Sequence, residues 1–244
     1  MRARSGEPAR CATIVTVTVR NIDELIDTDD PAWPELAGKI SDSAIPVEVL
    51  PATPARARDA LYRLQVTARS VLGGLVLNTG GLVVDHGWLR ILGGGHGDLP
   101  DVATMNRMAD PEPGRESPGA LVVAVDVLGG MFAINGGALP GNPGGICYFG
   151  PDTLAWQPLG GGHSSFVDWV LRGGLEDFYA DLRWDGWAAE TENLPPDQGL
   201  AIYPPLWSAE GRGDIAATSR RGCPLPELTA QHLDTAGQMA EPPR

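Results

Sequence analysis

The chain of 244 residues carries a formal net charge of −13, and hydrophobic residues make up 43% of it. That apolar share can bury a core and argues against a disordered chain. The charge argues against nucleic acid as a partner, because phosphate contacts need clustered Lys and Arg, and it would attract and steer a basic protein instead.

No apolar run approaches the roughly 20 residues that cross a bilayer, so a cytoplasmic protein with no membrane engagement is expected. Cys11, Cys147 and Cys223 are far apart and form no C-x-x-C pair. They suggest neither a zinc site nor a disulfide framework, and no cofactor is expected.

Residues 1–20 join early arginines to a short, threonine-broken apolar run and lack a small-residue cleavage site. They are expected to form a poorly ordered extension. Asp30-Pro31 is a helix-start pair, with Trp33, Leu36 and Ile40 following at helical spacing. A short extended piece at 47–50 precedes a second start at Thr53-Pro54, whose helix would bury Ala57, Leu61 and Leu64. From Leu72 the texture changes to short apolar runs at 75–77, 82–84 and 88–92, separated by glycine-rich gaps too short for a crossover helix. Such runs should pair antiparallel. A brief helix at 99–108 and an exposed loop at 109–119 lead to a second strand group at 121–128, 131–134, 145–149 and 153–157. Ser164 or Ser165 can cap a helix that buries Phe166 and Val170, and another helix covers 175–182. After the aromatic stretch 200–207, the chain from 217 is polar with scattered prolines and reads as a loosely held tail. Helices, then a block of strands, then helices imply an α+β fold. The sheet is expected to be antiparallel, in two glycine-rich strand groups with N-terminal and C-terminal helices packed on it. One domain over 21–226 is expected, with a polar tail at 227–244.

The candidate chemistry is sparse. Gly-Gly-Gly-His occurs twice, ending at His96 and His163, which could set two imidazoles side by side as metal ligands or an acid–base pair. Two strand ends running into flexible loops explain the repeat more simply, and no third ligand sits at metal spacing. No G-x-G-x-x-G opens a helix, and the single lysine, Lys39, lies in no phosphate loop. Gly162-His-Ser-Ser165 comes near a nucleophile elbow but is followed by Phe166 rather than glycine. Asp85-His86 and Asp126 are carboxylate and imidazole candidates at strand ends. Trp184, Trp187 and Trp207 could anchor an interface or pack helices on a sheet.

Several longer motifs resemble one family. They are Asn78-Thr-Gly-Gly81, Asp85-His-Gly-Trp-Leu-Arg-Ile-Leu-Gly93, Asp126-Val-Leu-Gly-Gly-Met-Phe-Ala-Ile-Asn-Gly-Gly137, Leu182-Arg-Trp-Asp-Gly-Trp187 and Tyr203-Pro-Pro-Leu-Trp207. On these the chain resembles a bacterial family of unknown function, numbered 2625, over about residues 21–224. The layout is also similar to the SUKH superfamily, many of whose members are immunity proteins for bacterial toxins. That second resemblance implies a non-enzymatic, protein-binding domain. The candidate binding face, read from the residues themselves, comprises Asp85, His86, Trp88, His96, His163 and Trp207. The rival expectation is a small hydrolase or metal-dependent enzyme using His96, His163 and Asp85.

Overall fold

A computed structural model describes residues 18–114 and 117–240. Most of the expected N-terminal extension therefore lies outside the described residues. Helix α1 (Ile22–Ile26) starts with a reciprocal cap. The Asn21 side chain accepts the Glu24 N–H at 3.0 Å, and the Glu24 carboxylate accepts the Asn21 N–H at 2.8 Å. Helix α2 (Trp33–Ser41) begins two residues later than Asp30-Pro31 suggests, with Pro34 in its first turn and Leu36 and Ile40 buried. Strand β1 (Val47–Pro51) leads into α3 (Pro54–Leu64), which has proline at its start and the left-handed residue Gln65 at its end.

The first correction comes next. The expected strand at 75–77 lies inside helix α4 (Val71–Asn78). The Ser70 hydroxyl accepts the Gly73 N–H at 2.9 Å and nucleates the turn. Gly73 then lets the helix pass the Thr67 carbonyl, whose oxygen would stand 2.0 Å from an added Cβ. A short helix apolar on almost every side has no periodicity to distinguish it from a buried strand.

The main sheet is a seven-stranded antiparallel meander. After β1 come β2 (Thr79–Val84), β3 (Leu89–Leu92), β4 (Ala120–Asp126), β5 (Met131–Asn135), β6 (Ile146–Phe149) and β7 (Trp156–Gly160), hydrogen-bonded in sequence order. Helix α5 (Val102–Met105) lies between β3 and β4.

Four helices and a hairpin follow the sheet. They are α6 (His163–Leu171), α7 (Leu175–Phe178), α8 (Trp187–Thr191) and α9 (Ala209–Gly213), with β8 (Gln198–Tyr203) and β9 (Ser219–Pro224) forming a separate two-stranded sheet. Alternation along β5 sorts the helices between the two faces of the sheet. Phe132 stacks with Phe166 of α6 and Phe178 of α7, and Ile134 lines a cleft beside α2, α4 and α6. Met131, pointing the other way, lines a groove with Met105 of α5 and Leu233.

The tail expected from 217 onward is also corrected. Beyond β9 the chain forms α10 (Leu225–Ala240), which buries Leu225, Leu228 and Thr229. The inward positions do fall at helical spacing, but Pro226 and Gly237 make the segment look like loop. Proline is tolerated in a first turn, where its missing N–H has no helical partner to lose. The fold is therefore α+β, and no helix among the described residues is long and apolar enough to cross a membrane.

Candidate functional site

The β2–β3 hairpin gathers the densest set of candidate residues. Asp85 and His86 both sit at φ 54° and Gly87 at φ 79°, the left-handed backbone that a tight hairpin turn demands. Gly87 is needed for a second reason, since an added Cβ would stand 2.6 Å from the Thr191 carbonyl oxygen. The chain from 179 to 196 is thus pressed directly onto the hairpin.

Side chains lock the two together. The Asp85 carboxylate pairs with the Arg183 guanidinium, which lies 4.0 Å from the Trp187 ring centre and 4.9 Å from that of Trp88. Trp88 is fully buried, with Tyr179 at 5.3 Å, Trp187 at 5.1 Å and Trp184 at 5.8 Å between ring centres. His86 meets Trp187 edge-on, and its carbonyl accepts the Thr191 hydroxyl at 2.7 Å. Arg90, also fully buried, donates to the carbonyls of Gly87, Pro195 and Pro196. Burial lowers its pKa to about 10, with Asp126 and Asp197 opposing the shift, so Arg90 stays charged at neutral pH.

Asp126 closes the β4–β5 turn from inside the core. Its carboxylate accepts the N–H groups of Leu128 and Gly130 at 2.9 and 2.8 Å and the hydroxyls of Tyr148 and Tyr179 at 2.7 and 2.9 Å. Burial raises its pKa, and those four hydrogen bonds pull the other way. The two tyrosines are themselves held well above their usual range, by burial first and by the neighbouring carboxylate second. They remain neutral donors.

The other candidates lie apart from this unit. His96 packs beside the end of β1, with Nδ1 3.1 Å from the Pro51 carbonyl oxygen. Trp207 lines a small pocket with Leu128, Leu228 and His232. His163 opens α6 and lines a cleft of about 700 Å³ formed with α2 and α4. Asp85, His96 and His163 thus have three different sets of neighbours. Among the described residues no group of three or more His, Cys, Asp or Glu is arranged to hold a metal.

Two features escaped the sequence reading. The first is the concentration of charge. Between 176 and 197 lie seven carboxylates, and six of them, Glu176, Asp177, Asp181, Asp185, Glu190 and Glu192, are exposed. A count of charge along the chain would have found it. The second is the role of Arg183, which nothing in the sequence pairs with Asp85.

The model of one family, "Protein of unknown function DUF2625", matches residues 22–228. The chain belongs to this family. It is 40% identical to the putative uncharacterized protein YbfG of Escherichia coli (strain K12) over 194 residues, covering 78% of this chain and 86% of that protein. An uncharacterized protein of Haemophilus influenzae is 33% identical over 189 residues, covering 77% of this chain and 83% of that protein. No solved structure matches. The motifs Asp85–Arg90 and Leu182–Trp187, which both fall inside the matched region, are the two halves of the hairpin clamp.

Proposed function

We propose that this member of the family is a cytoplasmic, non-catalytic binding protein that captures a basic protein partner on the acidic layer over 176–192. A toxin-neutralising role of the SUKH type is the specific form of that reading. The observation that carries it is the placement of charge. The motif residues able to do chemistry, Asp85, Arg90 and Asp126, are committed to Arg183, to backbone carbonyls and to the Tyr148–Tyr179 pair. The carboxylates of the clamping segment face outward instead. A rigid backing under a one-signed surface favours fast, salt-sensitive association.

The test is to co-express the chain with the product of any toxin-like gene next to its own and to measure survival and complex formation. With a partner in hand, changing Glu176, Asp177, Asp181 and Asp185 to Lys together should slow association at least tenfold at low salt and change dissociation less. A partner that binds this variant equally well removes the acidic layer from the reading. A neighbour that neither kills nor binds removes the immunity role. Turnover of a small substrate that disappears in His96→Ala or His163→Ala moves the case to an enzyme.

A further inference from the structure

We infer that the β7 edge of the main sheet is the face on which two copies of this chain associate. The inference does not rest on the capture of a basic partner. A chain with a net charge of −13 repels its own copies, so two of them can meet closely only where charge is missing. From Val127 to Val167 the only charged residue is Asp152, although 20% of the whole chain is charged.

The fold gathers that stretch onto one edge. Strand β7 is the last of the seven strands and pairs only with β6. Gln157, Pro158, Leu159 and Gly160 are exposed along it, and so is every residue but Leu139 in the loop from Gly136 to Gly144. The opposite edge, β1, is equally open but carries an exposed Glu48 beside Val49. Charge on an edge strand guards against edge-to-edge contact, and β7 has none. Its guard is Pro158, which has no N–H to donate, while Gly160 and Gly161 turn the chain at φ 78° and 62°. Contact here is therefore made by side chains and not by a continuous hydrogen-bonded ladder.

The shape of the edge is self-complementary. Leu159, 43% exposed, lines two adjoining hollows. One, of about 690 Å³, is formed with the loop from Pro140 to Gly145. The other, of about 350 Å³, is walled by Ile146, Phe166, Trp169 and Phe178. Among the described residues no charged side chain lines either hollow. A two-fold axis beside β7 sets each copy's Leu159 into the aromatic hollow of the other, so that one patch meets itself. Aromatic residues without charge are what the buried centre of an interface selects. Glu176 and Asp177, exposed just before Phe178, bound the patch on that side, and the acidic layer begins where the patch ends.

The test is sedimentation of the full chain over a range of concentrations. Wild type should be dimeric at about 50 μM, with a dissociation constant in the micromolar range. Raising salt from about 0.05 M to about 0.5 M should leave the dimer intact or tighten it, because screening relieves the remaining like-charge repulsion. Association with a basic partner would respond in the opposite direction. Leu159→Asp brings two carboxylates to the contact and should raise the dissociation constant by at least about tenfold. Ser165→Glu, exposed in the first turn of α6 and lining the same aromatic hollow, should act alike. Both positions are exposed, so both variants should melt close to wild type. Val49→Asp, on the β1 edge, should leave the dimer unchanged. The inference is overturned if the chain stays monomeric at about 200 μM, if added salt dissociates the dimer, if Leu159→Asp leaves self-association unchanged, or if Val49→Asp abolishes it.

Discussion

Around the β2–β3 hairpin nearly every charged group is spoken for, whereas in the α2–α4–α6 cleft several are not. Asp85 has Arg183, Arg90 has three carbonyls, and Glu190 takes both the Trp184 indole N–H at 2.9 Å and the Arg220 guanidinium at 3.1 Å. In the cleft, Arg69 has no hydrogen bond or ion pair among the described residues, and both His163 ring nitrogens are buried without a partner, as are Trp88 Nε1 and Arg183 Nε at the hairpin. The first region holds the long sequence motifs and is built like a core. The second has only short, ordinary-looking sequence and leaves Arg69 uncommitted. Motif density in this chain therefore marks where segments distant in sequence must interlock.

If that contrast is right, truncation in the interlocked region should be costly. Asp126→Ala would strand two backbone N–H groups and two tyrosine hydroxyls inside the core. At about 1–3 kcal/mol for each unsatisfied group, and allowing for relaxation, the loss should be on the order of 4 kcal/mol. Asp126→Asn keeps an acceptor for the two N–H groups and should lose less. Urea unfolding measures both, and a loss below about 1 kcal/mol for the alanine variant would mean that the turn is not held from within.

Arg183→Ala is next in size. It removes the partner of Asp85 and a cation stacked between Trp88 and Trp187, with both charged side chains only 11% exposed. A loss of about 2–4 kcal/mol is expected. Adding Asp85→Ala to complete a double-mutant cycle should show a coupling of about 1–3 kcal/mol. Additive losses would show that the two side chains act separately.

The sheet was readable because each strand is a short apolar run closed by a glycine turn. Six of the seven expected strands fall within or beside real ones, and only 75–77 became helix. Helix α10 was hidden by Pro226 and Gly237, which punctuate loops in most contexts and here occupy a first and a last turn. Asp85, His86 and Trp88 could be singled out as one cluster because they are adjacent in sequence. Their partners, Arg183 and Trp187, lie about a hundred residues away, and no local pattern encodes that distance. His163 was visible as a histidine, but the burial of its ring nitrogens is something only packing reveals. Arg69 carried no signal, because a lone arginine before a helix is an ordinary surface residue.

The cleft should announce itself in the pH dependence of stability. The folded-state pKa of His163 lies at about 4, below its ordinary 6.5. The unfolded chain therefore binds the extra proton first. Its contribution is fully present above pH 6.5 and is lost as pH falls through about 4. Asp126 has the opposite sign, since its pKa is raised: its term is full below about 3.8 and declines as pH rises. Comparing wild type with His163→Phe isolates the histidine. Between pH 6.5 and 4 the wild type should lose stability more steeply, by at most about 1.4 kcal/mol per pH unit. Parallel curves would place the imidazole in water rather than behind the cleft wall.

The smallest expected effect is the sharpest test of the contrast. Arg69→Ala removes a full positive charge, as Arg183→Ala does, yet Arg69 is exposed and holds no ion pair among the described residues. Surface substitutions away from caps and networks usually change stability by no more than about 0.5 kcal/mol. The Arg69→Ala protein should therefore unfold at nearly the same urea concentration as wild type. Should Arg69→Ala destabilise the chain as much as Arg183→Ala does, Arg69 is part of the scaffold and the distinction between the two regions fails.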